Sequence, residues 1–345
     1  MAKRDPRAIT PEQHEAAKLA VQTHGTKKDA AQSLGISESA LQRWLKATFE
    51  DDEDRIEYPD FVTLGDDEEP IEAIIDRLEK GFKRKHKAAA ARKWFQVRVK
   101  ETKPYGVIAF GDPHLGDPGC NVPLLKSHLE IARRDGVYGI NIGDTTNNWV
   151  GRLMRLYAEQ ETSAATEKRL AEWFMFDAGV KWLCWILGNH DEWNGGSDFQ
   201  KRLGGTHIPI IDWKAQFKVT HPTGTEIKVD AAHGRKGSSI WNELHGTLRA
   251  AKLGDMADVY YTGHTHNFAL QDLEIPDKGH NAWLVQLRGY KWHDHHALVN
   301  SFPEYQRGAS VFTICDPRPD ARRRVQCFED VEFGADVMEW MRGRA

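Results

Sequence analysis

Residues 183–187 read Leu-Cys-Trp-Ile-Leu and break at once into Gly188-Asn189-His190-Asp191. A strand points alternate side chains to opposite faces, so a run apolar on both faces predicts a strand in a sheet covered on both sides. In such sheets ligands gather at the carboxyl ends of the strands, where loops carry function. From about residue 101 the same pattern recurs, short apolar strands alternating with helical stretches. Val-Ile-Ala-Phe runs into Gly111-Asp112-Pro113-His114, and Gly-Ile-Asn-Ile into Gly143-Asp144. Ile-Lys-Val-Asp-Ala-Ala runs into His233-Gly234, and Val-Tyr-Tyr-Thr into Gly263-His264-Thr265-His266. Five predicted strands therefore each end in a polar cluster.

Upstream, the spacing is helical. Residues 1–48 predict three short helices: Thr10-Pro11-Glu12-Gln13 is a capping box with Pro at the first helical position. Thr26 is placed to cap the second helix and Ser37 the third. Ala31, Gly35 and Leu41 put a small residue at a helix crossing, a glycine in the turn and an apolar residue in the next helix. That spacing resembles the helix-turn-helix of DNA-binding regulators and transposases, which would place Gln42, Arg43 and Lys46 on or near an exposed recognition face. A small bundle used for assembly has the same pattern.

Residues 50–69 hold eleven acidic side chains and one Arg and read as a solvated linker. The next stretch starts as an amphipathic helix and turns strongly basic from Lys80 to Lys100, either a solvated face or a track for a phosphate backbone. The domains expected are thus 1–48 helical, 49–100 linker and basic helix, 101–330 α/β, and a 331–345 tail.

Composition changes this picture little. A net charge of −4 makes no case for bulk attraction to nucleic acid. The start has no apolar signal-peptide core, no run approaches membrane-spanning length, and the four cysteines form no CxxC, which together predict reduced thiols in the cytoplasm.

The polar clusters carry the chemistry. Asp, Asn and His together offer mixed oxygen and nitrogen ligands, a set that suits Mn, Fe or Zn better than Ca or Mg alone. Seven ligands exceed one tetrahedral ion and suit two ions sharing a carboxylate. For the fourth cluster His207, His221 and His245 compete with His233, and only His233 ends a strand and precedes a glycine. Lys291–His296, Lys-Trp-His-Asp-His-His, reads as a polar loop near the site's rim rather than a further metal site. Tryptophans 149, 182, 185, 193, 241 and 292 surround the motifs; most are expected in the core, with one or two free to stack on a base or ribose.

The order Asp-x-His, Gly-Asp, Gly-Asn-His-Asp, His, Gly-His-Thr-His resembles the calcineurin-like metallophosphoesterase superfamily over roughly residues 101–330. The resemblance implies a two-sheet β-sandwich flanked by helices and two divalent ions, with Mn the first choice. It implies that Asp112, His114 and His266 hold the first ion, that Asp144 bridges, and that Asn189, His233 and His264 hold the second. His190 would sit beside the leaving group as general acid or transition-state stabiliser.

One departure stands out. Protein Ser/Thr phosphatases of the superfamily carry Gly-Asp-x-x-Asp-Arg-Gly at the second motif, where this chain has Asn147 and Asn148. The change removes a carboxylate that would orient the catalytic histidine and an Arg that would clamp phosphate. Arg152 and Arg155, three apart on a predicted helix, are the candidates to replace that clamp. The expected function is a phosphodiesterase, specifically a DNA nuclease targeted by its helical module, resembling phage- or mobile-element-encoded enzymes. A small-molecule phosphatase or cyclic-nucleotide phosphodiesterase is the alternative within the class. A DNA-binding regulator on a non-catalytic scaffold is the alternative outside it.

Overall fold

The computed structural model describes residues 9–47, 69–193, 208–237, 239–293 and 307–344, and the chain divides into two compact units between Arg77 and Leu78. The first unit is helical: α1 (Pro11–His24), α2 (Lys27–Ser33) and α3 (Glu38–Lys46). Each helix starts at the cap read from the sequence. Thr10 Oγ1 accepts from the Gln13 amide at 3.3 Å while Gln13 Oε1 accepts from the Thr10 amide at 2.9 Å. Thr26 and Ser37 accept from the amides of Asp29 and Ala40, each at 3.2 Å. These bonds satisfy N–H groups that a helix start leaves without partners. Gly35 turns the chain with φ +65°, and Ala31 and Leu41 are buried on either side of it with Ala17, Ala20 and Ala30. Gln42, Arg43 and Lys46 are exposed. Residues 50–68 of the acidic stretch lie outside the described residues. The helix α4 (Ile71–Arg92) follows, exposed over most of its length.

The rest is α/β, two mixed six-stranded sheets flanked by helices. In chain order the elements are β1 (Lys93–Arg98), β2 (Tyr105–Phe110), α5 (Val122–Ala132), β3 (Val137–Asn141), α6 (Ala164–Glu172), β4 (Trp182–Leu187), α7 (Asn189–Glu192), β5 (Ile210–Asp212), β6 (Lys214–Thr220) and β7 (Glu226–Ala232). Then come α8 (His245–Leu253), β8 (Val259–Thr262), β9 (Ala269–Ile275), β10 (His280–Gln286), β11 (Ser310–Cys315), β12 (Val325–Phe328) and α9 (Val331–Gly343). One sheet runs β1-β6-β7-β8-β10-β9 and the other β12-β11-β2-β3-β4-β5. In the second, β2, β3, β4 and β5 are mutually parallel, and in the first β7, β8 and β10 are.

Strand alternation builds the layers. Val107, Ala109, Ile140 and Ile186 of one sheet pack with Phe217, Val229, Ala231 and Tyr261 of the other in a common core. Their strand neighbours Ile108, Phe110, Trp185 and Phe312 face the other way, onto Leu125 and Leu129 of α5 and Val331, Ala335 and Met338 of α9. Each fully buried aliphatic or aromatic side chain contributes about 1.5–3 kcal/mol relative to exposure. The outer face of the first sheet is covered through Leu244 and Ala251, packed on Tyr260 and Leu284.

The folded body exceeds the limits read from the sequence. The basic stretch ends in β1, which pairs in parallel with β6, and residues read as a C-terminal tail form α9, packed on the sheet. All four cysteines are buried and free. Among the described residues no helix is long and apolar enough to cross a membrane.

Candidate metal centre

The five polar clusters leave the carboxyl ends of β2, β3, β4, β7 and β8. Because β2, β3 and β4 are parallel neighbours, as are β7 and β8, their ends emerge at the same edge of each sheet. The backbone there is strained. Asp112, His114, Asp144, His264 and His266 all have positive φ, between +33° and +72°, a region that residues with a Cβ rarely occupy. Of the glycines just before these residues or Asn189, only Gly143 is left-handed, at φ +108°. The others mainly make room: a Cβ on Gly188 would lie 2.2 Å from Asp144 Oδ1, and one on Gly263 would lie 2.9 Å from Asp112 Oδ2.

Among the described residues two groups of side chains could hold a metal ion: His114, Asp144 and His190, and Asp144, His233 and His264. Asp144 belongs to both. Its Oδ1 accepts from the His190 amide at 2.9 Å, which fixes the carboxylate and turns Oδ2 toward the imidazoles. Oδ2 lies 3.2 Å from His233 Nε2 and 3.9 Å from both His114 Nε2 and His190 Nε2. His233 Nε2 is also 3.0 Å from Asn189 Oδ1 and 3.1 Å from His264 Nδ1. The far nitrogens explain these approaches. His114 Nδ1 lies 2.8 Å from Asn147 Oδ1, so it donates there and presents a lone pair at Nε2. His233 Nδ1 donates to the Ile142 carbonyl at 3.0 Å, so its Nε2 faces the centre and carries a proton unless a metal ion takes that place. Buried acceptors converging this closely repel unless a proton or a metal ion lies among them, and His114 Nε2 and Asp112 Oδ1 are buried without a hydrogen-bond partner. The donor set therefore fits divalent metal, with one oxygen common to two sites.

Electrostatics agree. Burial pushes the Asp112 carboxyl up to about 8, the neighbouring Asp144 adding to the effect against His233. Burial also opposes ionisation of Asp144, but the charges of His233, His190 and His114 outweigh it and hold its carboxyl well below the usual range. Burial lowers His233, yet Asp144 and Asp112 overcome it and raise the imidazole to about 9. His114 is pushed well down, first by burial and then by His190, His266 and Lys291. Two buried carboxylates facing three imidazoles form a pocket in which added positive charge is favourable.

The remaining assignments divide. Asp112 Oδ2 accepts from the His264 amide at 2.7 Å, and its Oδ1 lies 3.3 Å from His233 Nδ1. His266 lies with its ring centroid 5.1 Å from that of His114. Both border the centre, but the tightest group around His114 contains His190 in their place. Asp191 is not a ligand: it accepts from the amides of Thr145 and Gly188 at 3.1 and 2.8 Å and ties two of the loops together. Of the competing histidines, His221 sits in a hairpin turn 2.9 Å from the Tyr105 hydroxyl, and His245 opens α8. His207 lies outside the described residues, as do residues 294–296 of the polar loop. Arg152 and Arg155 lie on a 3₁₀ helix, Gly151–Glu159, where side chains three apart eclipse. Both are exposed, and among the described residues no contact ties either to the candidate ligands.

Asn147 and Asn148 turn out to be built in rather than vacant. The Asn147 carbonyl lies 2.5 Å from His190 Nδ1 and orients that ring as a side-chain carboxylate would. The Asn147 amide donates to Asp117 Oδ2 at 2.6 Å, and Lys291 Nζ lies 3.1 Å from the same oxygen. A buried chain thus runs Lys291–Asp117–Asn147–His114. Asn148 Nδ2 donates to the carbonyls of His190 and Trp193 at 2.7 and 2.8 Å, so it clamps the loop, not a phosphate. Asp117 stands three residues after His114 and Lys291 opens the polar loop at the rim, but nothing in the sequence links the two; only the fold joins them. The sequence reading also missed Trp213, whose ring packs against His233 and His264 with centroids at 5.2 and 5.9 Å. Trp182 and Trp185 are core residues, Trp149 and Trp193 flank His190, and Trp241 is 88% exposed.

Two outcomes follow. Gly188→Ala should fold but lose about 1–3 kcal/mol of stability through overpacking and weaken metal binding sharply. Thermal unfolding and Mn²⁺ titration check it, and unaltered metal affinity would show that the close approach is dispensable. Asp117→Asn should leave the fold intact and cost about 10–100-fold in affinity for one ion, as loss of an outer partner of a metal-bound histidine does. Calorimetric titration with Mn²⁺ reads it directly, and equal affinity at both sites would detach this chain from His114.

No family model matches the chain, and no curated protein is similar to it. Among solved structures, a protein of unknown function from Aquifex aeolicus is 13% identical, with a TM-score of 0.28, over 47% of this chain and 80% of its own. GAP50, the anchor in the inner membrane complex of Plasmodium, is 10% identical, with a TM-score of 0.33, over 69% of this chain and 95% of its own. At those values neither likeness bears on what the site does.

Proposed function

We propose that this chain is a phosphodiesterase of the calcineurin-like metallophosphoesterase type, dependent on two divalent ions, Mn²⁺ the first choice, and acting on DNA as a nuclease. The observation that carries the reading is Asp144, whose Oδ2 is shared by two groups of lone-pair donors. Asp112, His114, His266 and Asp144 would hold one ion; Asp144, Asn189, His233 and His264 would hold the other. When bound, the pair supplies neutralisation of phosphate oxygens and a lowered pKa for the attacking water. The protein's own residues do the rest. The His190 amide orients Asp144, the Ile142 carbonyl and Asn147 side chain set the tautomers of His233 and His114, and Asn147 O aims His190. His190 is suited to give its proton to the departing oxygen.

Substrate class is argued from charge. A monoester dianion calls for an added cation at the phosphate, and Asn148 stands where that Arg would be, spent on backbone carbonyls. A diester monoanion needs less neutralisation. The capped helices 11–46, with Gln42, Arg43 and Lys46 exposed, support a module that places the enzyme on duplex DNA. A Mn²⁺ activity panel tests the reading across duplex and single-stranded DNA, RNA, cyclic nucleotides, a chromogenic diester and a monoester. Diesters should turn over fastest, and a chain lacking residues 1–48 should keep the chromogenic activity while binding duplex DNA less. Faster turnover of monoesters with no action on DNA at low salt would replace the nuclease by a small-molecule phosphatase. Metal binding without any hydrolysis would leave a DNA-binding scaffold.

A further inference from the structure

The exposed apolar residues of α4 are not scattered. Ile71, Ile75, Leu78 and Phe82 are 65, 56, 65 and 67% exposed, and their spacing of four, three and four runs them along one face. That spacing is the seam of a coiled coil. A helix of this kind is marginal in water without packing, and four large side chains in one exposed stripe mark an interaction surface. Charge on the same helix is segregated. Residues 69–76 carry Glu69, Glu72 and Asp76 with no base, whereas residues 77–84 carry Arg77, Lys80, Lys83 and Arg84 against Glu79. Glu72 and Asp76 lie four apart and repel, as do Lys80 and Arg84. Glu79 is already neutralised by Lys83, and Glu69, just ahead of the helix, by Arg77, which leaves Glu72 and Asp76 against Lys80 and Arg84.

We infer that this stripe joins two copies of the chain as an antiparallel helix pair. The stripe is its own complement in that orientation. With the pair centred between residues 76 and 77, Ile71 meets the partner's Phe82 and Ile75 meets the partner's Leu78. The acidic half of each helix then faces the basic half of the other, relieving both repulsions at once. A parallel pair would set acid on acid and base on base, so charge selects the antiparallel one. The inference stands independently of the metal chemistry.

Sedimentation equilibrium of the full chain tests it. A concentration-dependent dimer is expected, and Leu78→Glu should weaken it more than about tenfold by placing two carboxylates in the seam. Leu78 is exposed, so the change leaves the fold intact, as circular dichroism would verify. Orientation is read by cross-linking, because the native cysteines are buried and an introduced thiol stands out. A mixture of Ile71→Cys and Phe82→Cys chains should form the mixed disulfide. Phe82→Cys alone should not, since an antiparallel pair holds the two Phe82 positions about 16 Å apart along the axis. A chain that stays monomeric, a dimer indifferent to Leu78→Glu, or efficient disulfide formation by Phe82→Cys alone would each overturn the inference.

Discussion

Asp144→Asn is expected to empty both metal sites and lower hydrolysis of every phosphodiester by at least about a thousandfold, the equivalent of roughly 4 kcal/mol of transition-state stabilisation. The change is nearly isosteric, so the Oδ1 bond from the His190 amide survives and the fold should hold. What is lost is the charge on the one oxygen that lies 3.2 Å from His233 Nε2 and 3.9 Å from His114 Nε2. His233→Ala separates the two sites. It removes the nitrogen that approaches Asn189, His264 and Asp144 together, and leaves His114 and its Asn147 bond alone. One ion should therefore remain bound in His233→Ala and none in Asp144→Asn. Metal content measured after dialysis decides it. A wild-type chain binding a single ion, unaffected by His233→Ala, would sink the shared-carboxylate arrangement.

Most of what this prediction uses is legible in the sequence, and for a local reason. An apolar strand, a glycine and a polar residue are contiguous, so the strand end and its candidate ligand are read together, as at Ile142-Gly143-Asp144 or Leu187-Gly188-Asn189. Helix caps are legible on the same ground, since Thr10 and Gln13 bond within one turn. What escaped is whatever depends on folding distant segments together. Asp117 reaches Lys291 across the chain, and β1 finds its partner in β6. The second motif shows the difference most clearly. Its asparagines read as a loss, because only side chains are visible in a sequence, whereas His190 is oriented by a backbone carbonyl that every residue owns. The helix α9 does carry a local signal, the cap Asp330 followed by Val331, Ala335 and Met338 at helical spacing; what the sequence leaves out is Phe312 of the sheet on which they pack.

The geometry leaves His190 with two roles that predict opposite behaviour. Its Nε2 lies 3.9 Å from Asp144 Oδ2, close enough for the ring to count among potential ligands with His114. The ring is also held as a proton donor should be. Asn147 O fixes Nδ1, while Trp149 and Trp193 pack against it with centroids at 5.2 and 4.2 Å. A ligand would act on all substrates alike, because every diester needs the same charge neutralised. A general acid acts in proportion to the basicity of the departing oxygen. We expect His190→Ala to retain both ions and to slow cleavage of DNA, an alkoxide leaving group, by about 10²–10⁴-fold. An activated aryl diester, whose phenolate leaves without a proton, should slow by less than about tenfold. The alternative outcome is equally plain: loss of an ion together with uniform slowing of both substrates would move His190 into the ligand set beside His114 and Asp144. In that case the proton for the leaving group must come from another side chain or from water.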